Sequence, residues 1–291
     1  MPADPAVTPL GIVAGRGDLP ARLAEQALAQ GRPVFVLALT GQADPATIAP
    51  YPHAWVRLAD GTAALKHLRG AGVEELVFAG AVKRPSLLSL RPDRRAATFL
   101  AKVGWRALGD DSLLSAIVAE FEAEGFHVVG ADAVWGDGRM PAGALTRARP
   151  DAAAWRDIRR GVAVVQALGA VDVGQGCVVQ QGIVLAVEAV EGTDAMLARA
   201  RDLRRDGPGG VLVKLAKPGQ DRRIDLPTVG PDTVDLAIRA GLRGLAVEAG
   251  GALVLERDAL AATADAAGLF VYGIDPARVL AETPDPADDA D

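Results

Sequence analysis

Leu10-Gly-Ile-Val-Ala14, running directly into Gly15-Arg-Gly-Asp-Leu-Pro20, is the stretch on which the reading of the first half turns. Five small or aliphatic residues in a row predict a short strand buried on both faces, and Gly15 and Gly17 predict a tight turn after it. A helix is predicted over Pro20 to Gln30, with Pro20 near its first position and Gly31 just past its end. Working outward, Pro33 to Leu39 reads as a second strand, Gly61 to Ala71 as a helix and Glu75 to Ala79 as a third strand. Strand and helix alternating at this spacing predict an α/β protein whose N-terminal domain is Rossmann-like, with a parallel, doubly wound sheet. Helices over Pro92–Leu108 and Ser112–Glu124 and a strand over Phe126–Ala131 complete that domain, and the Trp/Gly/Pro-bearing stretch Asp132–Pro141 reads as a linker. The expected division is residues 1–132 and 133–291.

The second half has a different order of elements and no internal repeat. Helices are predicted over Ala152–Gly169, Thr193–Arg205, Gly230–Ala240 and Asp258–Ala267. Strands are predicted within Cys177–Val190, broken at Gln180-Gln-Gly182, and at Val211–Leu215, Leu245–Glu248, Ala252–Leu255 and Phe270–Ile274, with Ile224 in a short extended piece. This is a distinct mixed α/β domain. The acidic, proline-bearing tail Thr283–Asp291 is expected to be disordered.

The formal charge of −6 argues against nucleic acid as a partner, so an anion would have to be met by local Lys and Arg. Cys177 is the single cysteine, which excludes an intramolecular disulfide, and its apolar neighbours point to a buried structural thiol. Met1–Thr8 lacks the features of a signal peptide and no run of eighteen apolar residues occurs, so the expectation is a soluble cytoplasmic protein. Three isolated histidines, no His/Cys zinc spacing and no Walker A loop argue against a His-rich two-metal phosphoesterase, a zinc site and a P-loop enzyme.

Three regions carry residues suited to chemistry. Gly15-x-Gly17, with Asp18, lies between a strand and a helix, where backbone N–H groups can approach a phosphate or ribose. Pro20 replaces the third glycine of a dinucleotide fingerprint, and no acidic residue ends the second strand, which disfavours NAD. A tight turn with no ligand is the alternative. Gly80-Ala-Val-Lys-Arg-Pro-Ser86 follows the third strand, and Lys83, Arg84 and Ser86 suit a phosphate or sugar, with a solvated surface pair as the alternative. Asp111 or Ser112 is read as a helix cap.

The densest region begins with Val187-Glu-Ala-Val-Glu-Gly-Thr-Asp194, which brings three carboxylates (Glu188, Glu191, Asp194) to a helix start. It continues with Lys214-Leu-Ala-Lys-Pro-Gly-Gln-Asp-Arg-Arg-Ile-Asp225-Leu-Pro-Thr-Val-Gly230. On an extended strand with Ile224 inward, Arg223 and Asp225 share the opposite face. A carboxylate among Lys214, Lys217 and Arg223 suits a magnesium–phosphate complex, with a surface ion-pair network as the alternative.

These segments, in this order and together with Glu248-Ala-Gly250, resemble the UDP-2,3-diacylglucosamine pyrophosphatase family of lipid A biosynthesis in its LpxI form. The resemblance covers about Leu10 to Asp275. It implies two α/β domains that close on the substrate, and a hydrolase dependent on Mg²⁺, with Mn²⁺ as a substitute. It further implies cleavage of UDP-2,3-diacylglucosamine into UMP and 2,3-diacylglucosamine 1-phosphate. The family's key aspartate falls on Asp225, which would hold the metal or orient water. Lys214, Lys217 and Arg223 would meet the diphosphate, and Asp221, Glu191, Glu188 and Asp194 would serve the metal or the water. Gly15, Gly17, Asp18, Lys83, Arg84, Ser86, Gly192, Thr193 and Gln220 complete the expected substrate contacts. A lipid substrate adds peripheral contact with the inner face of the inner membrane, and homo-oligomerisation is left open. Two other functions are weighed beside this one: a different nucleotide-sugar diphosphatase or transferase, and a non-catalytic nucleotide-binding regulator.

Overall fold

The computed structural model describes residues 8–83, 92–103, 110–136, 138–217, 223 and 226–281. They divide into two compact units. The first runs to Gly136 and also takes in Arg223; the second comprises the remaining described residues. The division falls inside the stretch read as a linker.

The first unit is built on β1 (Leu10–Ala14), β2 (Val34–Leu39), β3 (His53–Val56), β4 (Glu75–Ala79) and β5 (His127–Val129). All pair in parallel, in the order β3-β2-β1-β4-β5. Every residue of β1 is buried, as its position at the centre of the sheet requires. The connecting helices are α1 (Leu19–Ala29), α2 (Pro45–Ile48), α3 (Gly61–Gly70), α4 (Arg94–Val103), α5 (Asp110–Ala123) and α6 (Ala131–Trp135). Leu65 and Leu68 of α3 and Val118 of α5 pack with Leu37 and Leu76, and each such side chain contributes about 1.5–3 kcal/mol on leaving water. The strand order reverses between β1 and β4, so their carboxyl ends flank a topological switch point.

The parallel sheet agrees with the sequence reading, with local corrections. β3 was not anticipated, because this edge strand shows His53 and Trp55 to solvent and buries only Val56. The strand expected over Phe126–Ala131 is confined to His127–Val129, since Gly130 starts α6.

The second unit carries α7 (Ala152–Ala170), the hairpin β7 (Gly176–Gln180) and β8 (Ile183–Val187), α8 (Gly192–Asp202), β9 (Val211–Lys214) and α9 (Pro231–Arg239). β11 (Gly244–Glu248), α10 (Arg257–Ala266), β13 (Phe270–Ile274) and α11 (Pro276–Ala281) follow. The sheet closes at one edge with β6 (Gly143–Ala144), and β10 (Thr228–Val229) pairs separately with β12 (Leu253–Val254). The six strands run in the order β6-β13-β11-β9-β7-β8. β9, β11 and β13 are parallel, β7 is antiparallel to both β8 and β9, and β8 therefore points the same way as β9.

Alternate residues of these strands feed two apolar layers, as a period of two demands. Val178, Leu212, Leu245 and Val271 pack under α8, α9 and α10. Cys177, Val179, Val213 and Phe270 pack under α7 and α11. The hairpin turn places Gln181 and Gly182 at φ +55° and +73°, and Asp157 of α7 accepts both of their N–H groups, at 3.2 and 2.6 Å. The piece around Ile224 and the tail Thr283–Asp291 lie outside the described residues. No helix among them is long and apolar enough to cross a membrane.

Candidate functional site

In the first unit, the loops after β1 and β4 lie against each other through their main chains. Gly15 N–H donates to Ala79 O at 2.8 Å, Arg16 N–H to Ala81 O at 2.8 Å and Ala81 N–H back to Arg16 O at 3.2 Å. A Cβ on Gly15 would sit 2.6 Å from Ala81 O; on Gly80, at φ +84°, it would sit 2.3 Å from Arg16 O. Both glycines are thus accounted for by loop-to-loop contact. Gly17, at φ +84°, faces open space, and Arg16, Gly17 and Asp18 are exposed. Asp18 precedes α1 without capping it, so its carboxylate is not used by the helix.

Lys83 is held by a residue the sequence did not single out. The Gln42 side chain accepts from Lys83 N–H at 2.9 Å and donates to Lys83 O at 3.1 Å. Nothing in the sequence around Gln42 marks this splint, which arises because β2 and β4 flank β1. Arg84 and Ser86 lie outside the described residues.

In the second unit, β8, β9 and β11 end on one edge of the sheet, where Glu188, Lys214 and Glu248 follow or terminate them. That is the edge where open α/β sheets bind ligands. Lys214 Nζ donates to Thr193 Oγ1 at 2.7 Å and to Thr228 O at 3.3 Å. The Thr193 hydroxyl donates in turn to Glu188 Oε1 at 2.9 Å. Lys214 is 5% exposed and Glu188 6%. Glu188 N–H donates to Gly176 O at 2.8 Å, which fixes the residue beside the start of β7. Glu248 Oε2 accepts from Ala216 N–H at 2.9 Å and so shapes the chain leaving β9.

The remaining expected residues are distributed differently. Gly192, at φ +80°, opens α8 and presents Thr193. Asp194 is exposed in the first turn of α8, where the helix dipole favours an acid. Glu191 pairs with Arg199 at 2.8 Å, and Lys217 with Asp172 at 2.6 Å. Arg223 belongs to the first unit and pairs with Glu122 of α5 at 2.7 Å. Gln220, Asp221 and Asp225 lie outside the described residues. Among those described, no group of three His, Cys, Asp or Glu side chains is arranged to hold a metal ion. Cys177 is buried against Gly161 O, and burial pushes its thiol up to about 12, as fits a structural residue.

Comparison with known proteins gives two family matches that overlap at residues 141–149. The family described as LpxI N-terminal domain matches residues 9–149, and that described as LpxI C-terminal domain matches residues 141–272. UDP-2,3-diacylglucosamine pyrophosphatase LpxI of Caulobacter vibrioides is 44% identical over 274 residues, covering 92% of this chain and 98% of the relative.

Proposed function

The chain belongs to the LpxI family, and from that premise we propose that it hydrolyses the diphosphate of UDP-2,3-diacylglucosamine. The products are UMP and 2,3-diacylglucosamine 1-phosphate, in a step of lipid A biosynthesis. The observation that carries this reading is the match to the Caulobacter pyrophosphatase over 92% of the chain, which spans both family domains.

The chemistry of the second unit supports it in kind. Cleaving a diphosphate builds charge on phosphate oxygens, and cations already oriented in water-poor surroundings stabilise that charge. Lys214, buried and held by two acceptors, is such a cation. Asp225 is assigned the central role, holding metal or orienting water, on the resemblance of the segment from Lys214 to Gly230. Magnesium is proposed on the same ground. It takes one or two carboxylates and completes its shell with water and phosphate oxygens, whose charge it neutralises. Among the described residues no group of three potential ligands is arranged for an ion, and Glu191, one of the expected ligands, pairs with Arg199. Asp221 and Asp225 are the residues that would hold the ion, and no step is routed through it. A lipid substrate also places the working protein at the inner face of the inner membrane, by peripheral contact.

The test is incubation of the purified full chain with UDP-2,3-diacylglucosamine and Mg²⁺, with products identified by mass spectrometry. EDTA, the Asp225→Ala variant and a UDP-sugar without acyl chains form the parallel arms. UMP and the acylated sugar phosphate should appear only with metal, and turnover should collapse in the variant. Equal cleavage of the unacylated sugar would shift the assignment to a general nucleotide-sugar diphosphatase. Tight substrate binding without UMP would leave a regulator.

A further inference from the structure

The hydrogen-bond chain from Lys214 through Thr193 to Glu188 has a fixed polarity. The Thr193 proton goes to Glu188 Oε1, so the Thr193 oxygen offers Lys214 Nζ a lone pair. Of three Lys214 donors, one goes to Thr193 and one to Thr228 O, which leaves the third uncommitted among the described residues. No carboxylate of the described residues pairs directly with Lys214, although burying an unpaired charge is costly. Glu188 does not meet Lys214 directly. A hydroxyl inserted between them instead leaves the cation aligned and only partly compensated, as an incoming anion requires.

Glu188 itself is out of reach. Its Oε2 is fully buried with no hydrogen-bond partner. It lies beside Gly176, where an added Cβ would come within 2.6 Å of it, and a Cβ on Gly174 would meet Glu188 O at 1.9 Å. The two glycines make the room in which this residue sits, with its Oε2 closed off from solvent.

We infer that Glu188 is a positioning residue, which acts through the Thr193 hydroxyl to hold Lys214 for the diphosphate of the substrate. The inference rests on the proposed hydrolysis for its substrate, and on the geometry for its residues.

Initial rates on UDP-2,3-diacylglucosamine test it, measured on the full chain with Thr193→Val, Thr193→Ser, Glu188→Gln and Lys214→Met, the first three each also combined with Lys214→Met. Thr193→Val should lower kcat/KM by about 10- to 100-fold, the range for losing a hydrogen bond to a charged group. Thr193→Ser should recover most of it. In the Lys214→Met background neither Thr193→Val nor Glu188→Gln should cost more, because both act through that lysine. Circular dichroism identifies any variant that misfolds, and Thr193→Ser then carries the comparison. Losses that multiply in the Lys214→Met background, or a fully active Thr193→Val, overturn the inference. UDP affinity measured by calorimetry on the same proteins separates the two claims. Coupled losses of UDP affinity without turnover in the wild type retain the positioning role and remove the hydrolysis. Turnover with uncoupled losses does the reverse, and a wild type that neither binds UDP nor turns over removes both.

Discussion

The carboxyl edge of the first sheet and that of the second both gather polar residues where parallel strands end, but they hold them in opposite ways. In the first, the order lies in the main chain: loops after β1 and β4 are bonded to each other, while Arg16, Asp18 and Lys83 stand exposed. In the second, the order lies in side chains, with buried Lys214 and Glu188 bonded in series through the half-buried Thr193. An exposed cation is screened by water and salt and contributes little to any one contact. A buried one acts through a lower dielectric and has already given up its hydration. The difference teaches that similar strand-end positions need not carry similar weight: rate should reside at the second edge and modest affinity at the first.

The sharpest way to break this contrast is Lys214→Met. It should lower kcat/KM by about 10²–10³-fold, the size expected for losing a preorganised electrostatic partner of the transition state. Initial-rate kinetics on protein with intact circular dichroism read it, and a loss below threefold would erase the distinction. Next, Gly80→Ala tests the main-chain order of the first edge. The added Cβ clashes with Arg16 O at positive φ, and urea unfolding should show a loss of about 3 kcal/mol. Gly17→Ala, at the same φ but in open space, should cost only about 1 kcal/mol. Equal costs would mean that the loops are not locked together.

Asp157→Ala probes buried polar order away from the edge, and should cost about 1–3 kcal/mol with activity per folded molecule unchanged. Burial holds the Asp157 carboxyl above the ordinary aspartate range, against the lowering effect of the Gly182 and Gln181 N–H groups. The folded chain therefore binds that proton more tightly than the unfolded chain. Its contribution to stability is fully present below the unfolded value and declines as pH rises through the raised folded value. The stability gap between wild type and Asp157→Ala, followed by denaturant titration across acidic pH, should narrow in that direction. The smallest effect belongs to Lys83→Met, a change of less than about tenfold confined to KM. A drop in kcat there would move catalytic weight to the first edge.

Much of this was legible in the sequence, for identifiable reasons. β1, β2 and β4 are short apolar runs bounded by Gly and Pro, and α1 is bracketed by Pro20 and Gly31. β3 escaped because an edge strand with one buried residue has no apolar run, and the two-residue strands β6 and β10 have no period at all, whereas β12 falls within the strand read over Ala252–Leu255. At the site, Glu188, Thr193 and Lys214 stood out as polar residues next to strand ends. Their assembly into one chain depends on β7 lying between β8 and β9, which a linear reading does not contain. Glu191 looked equivalent to Glu188, yet the fold gives it to Arg199 and buries Glu188 beside Gly176. The Gln42 splint on Lys83 is likewise a product of strand order.

The central claim, that water is the acceptor in a diphosphate cleavage, is tested most directly by running the reaction in ¹⁸O-labelled water. Mass spectrometry of both products should find one labelled oxygen per turnover, in UMP or in 2,3-diacylglucosamine 1-phosphate. Substrate consumption with label in neither product would contradict hydrolysis and make the chain a transferase.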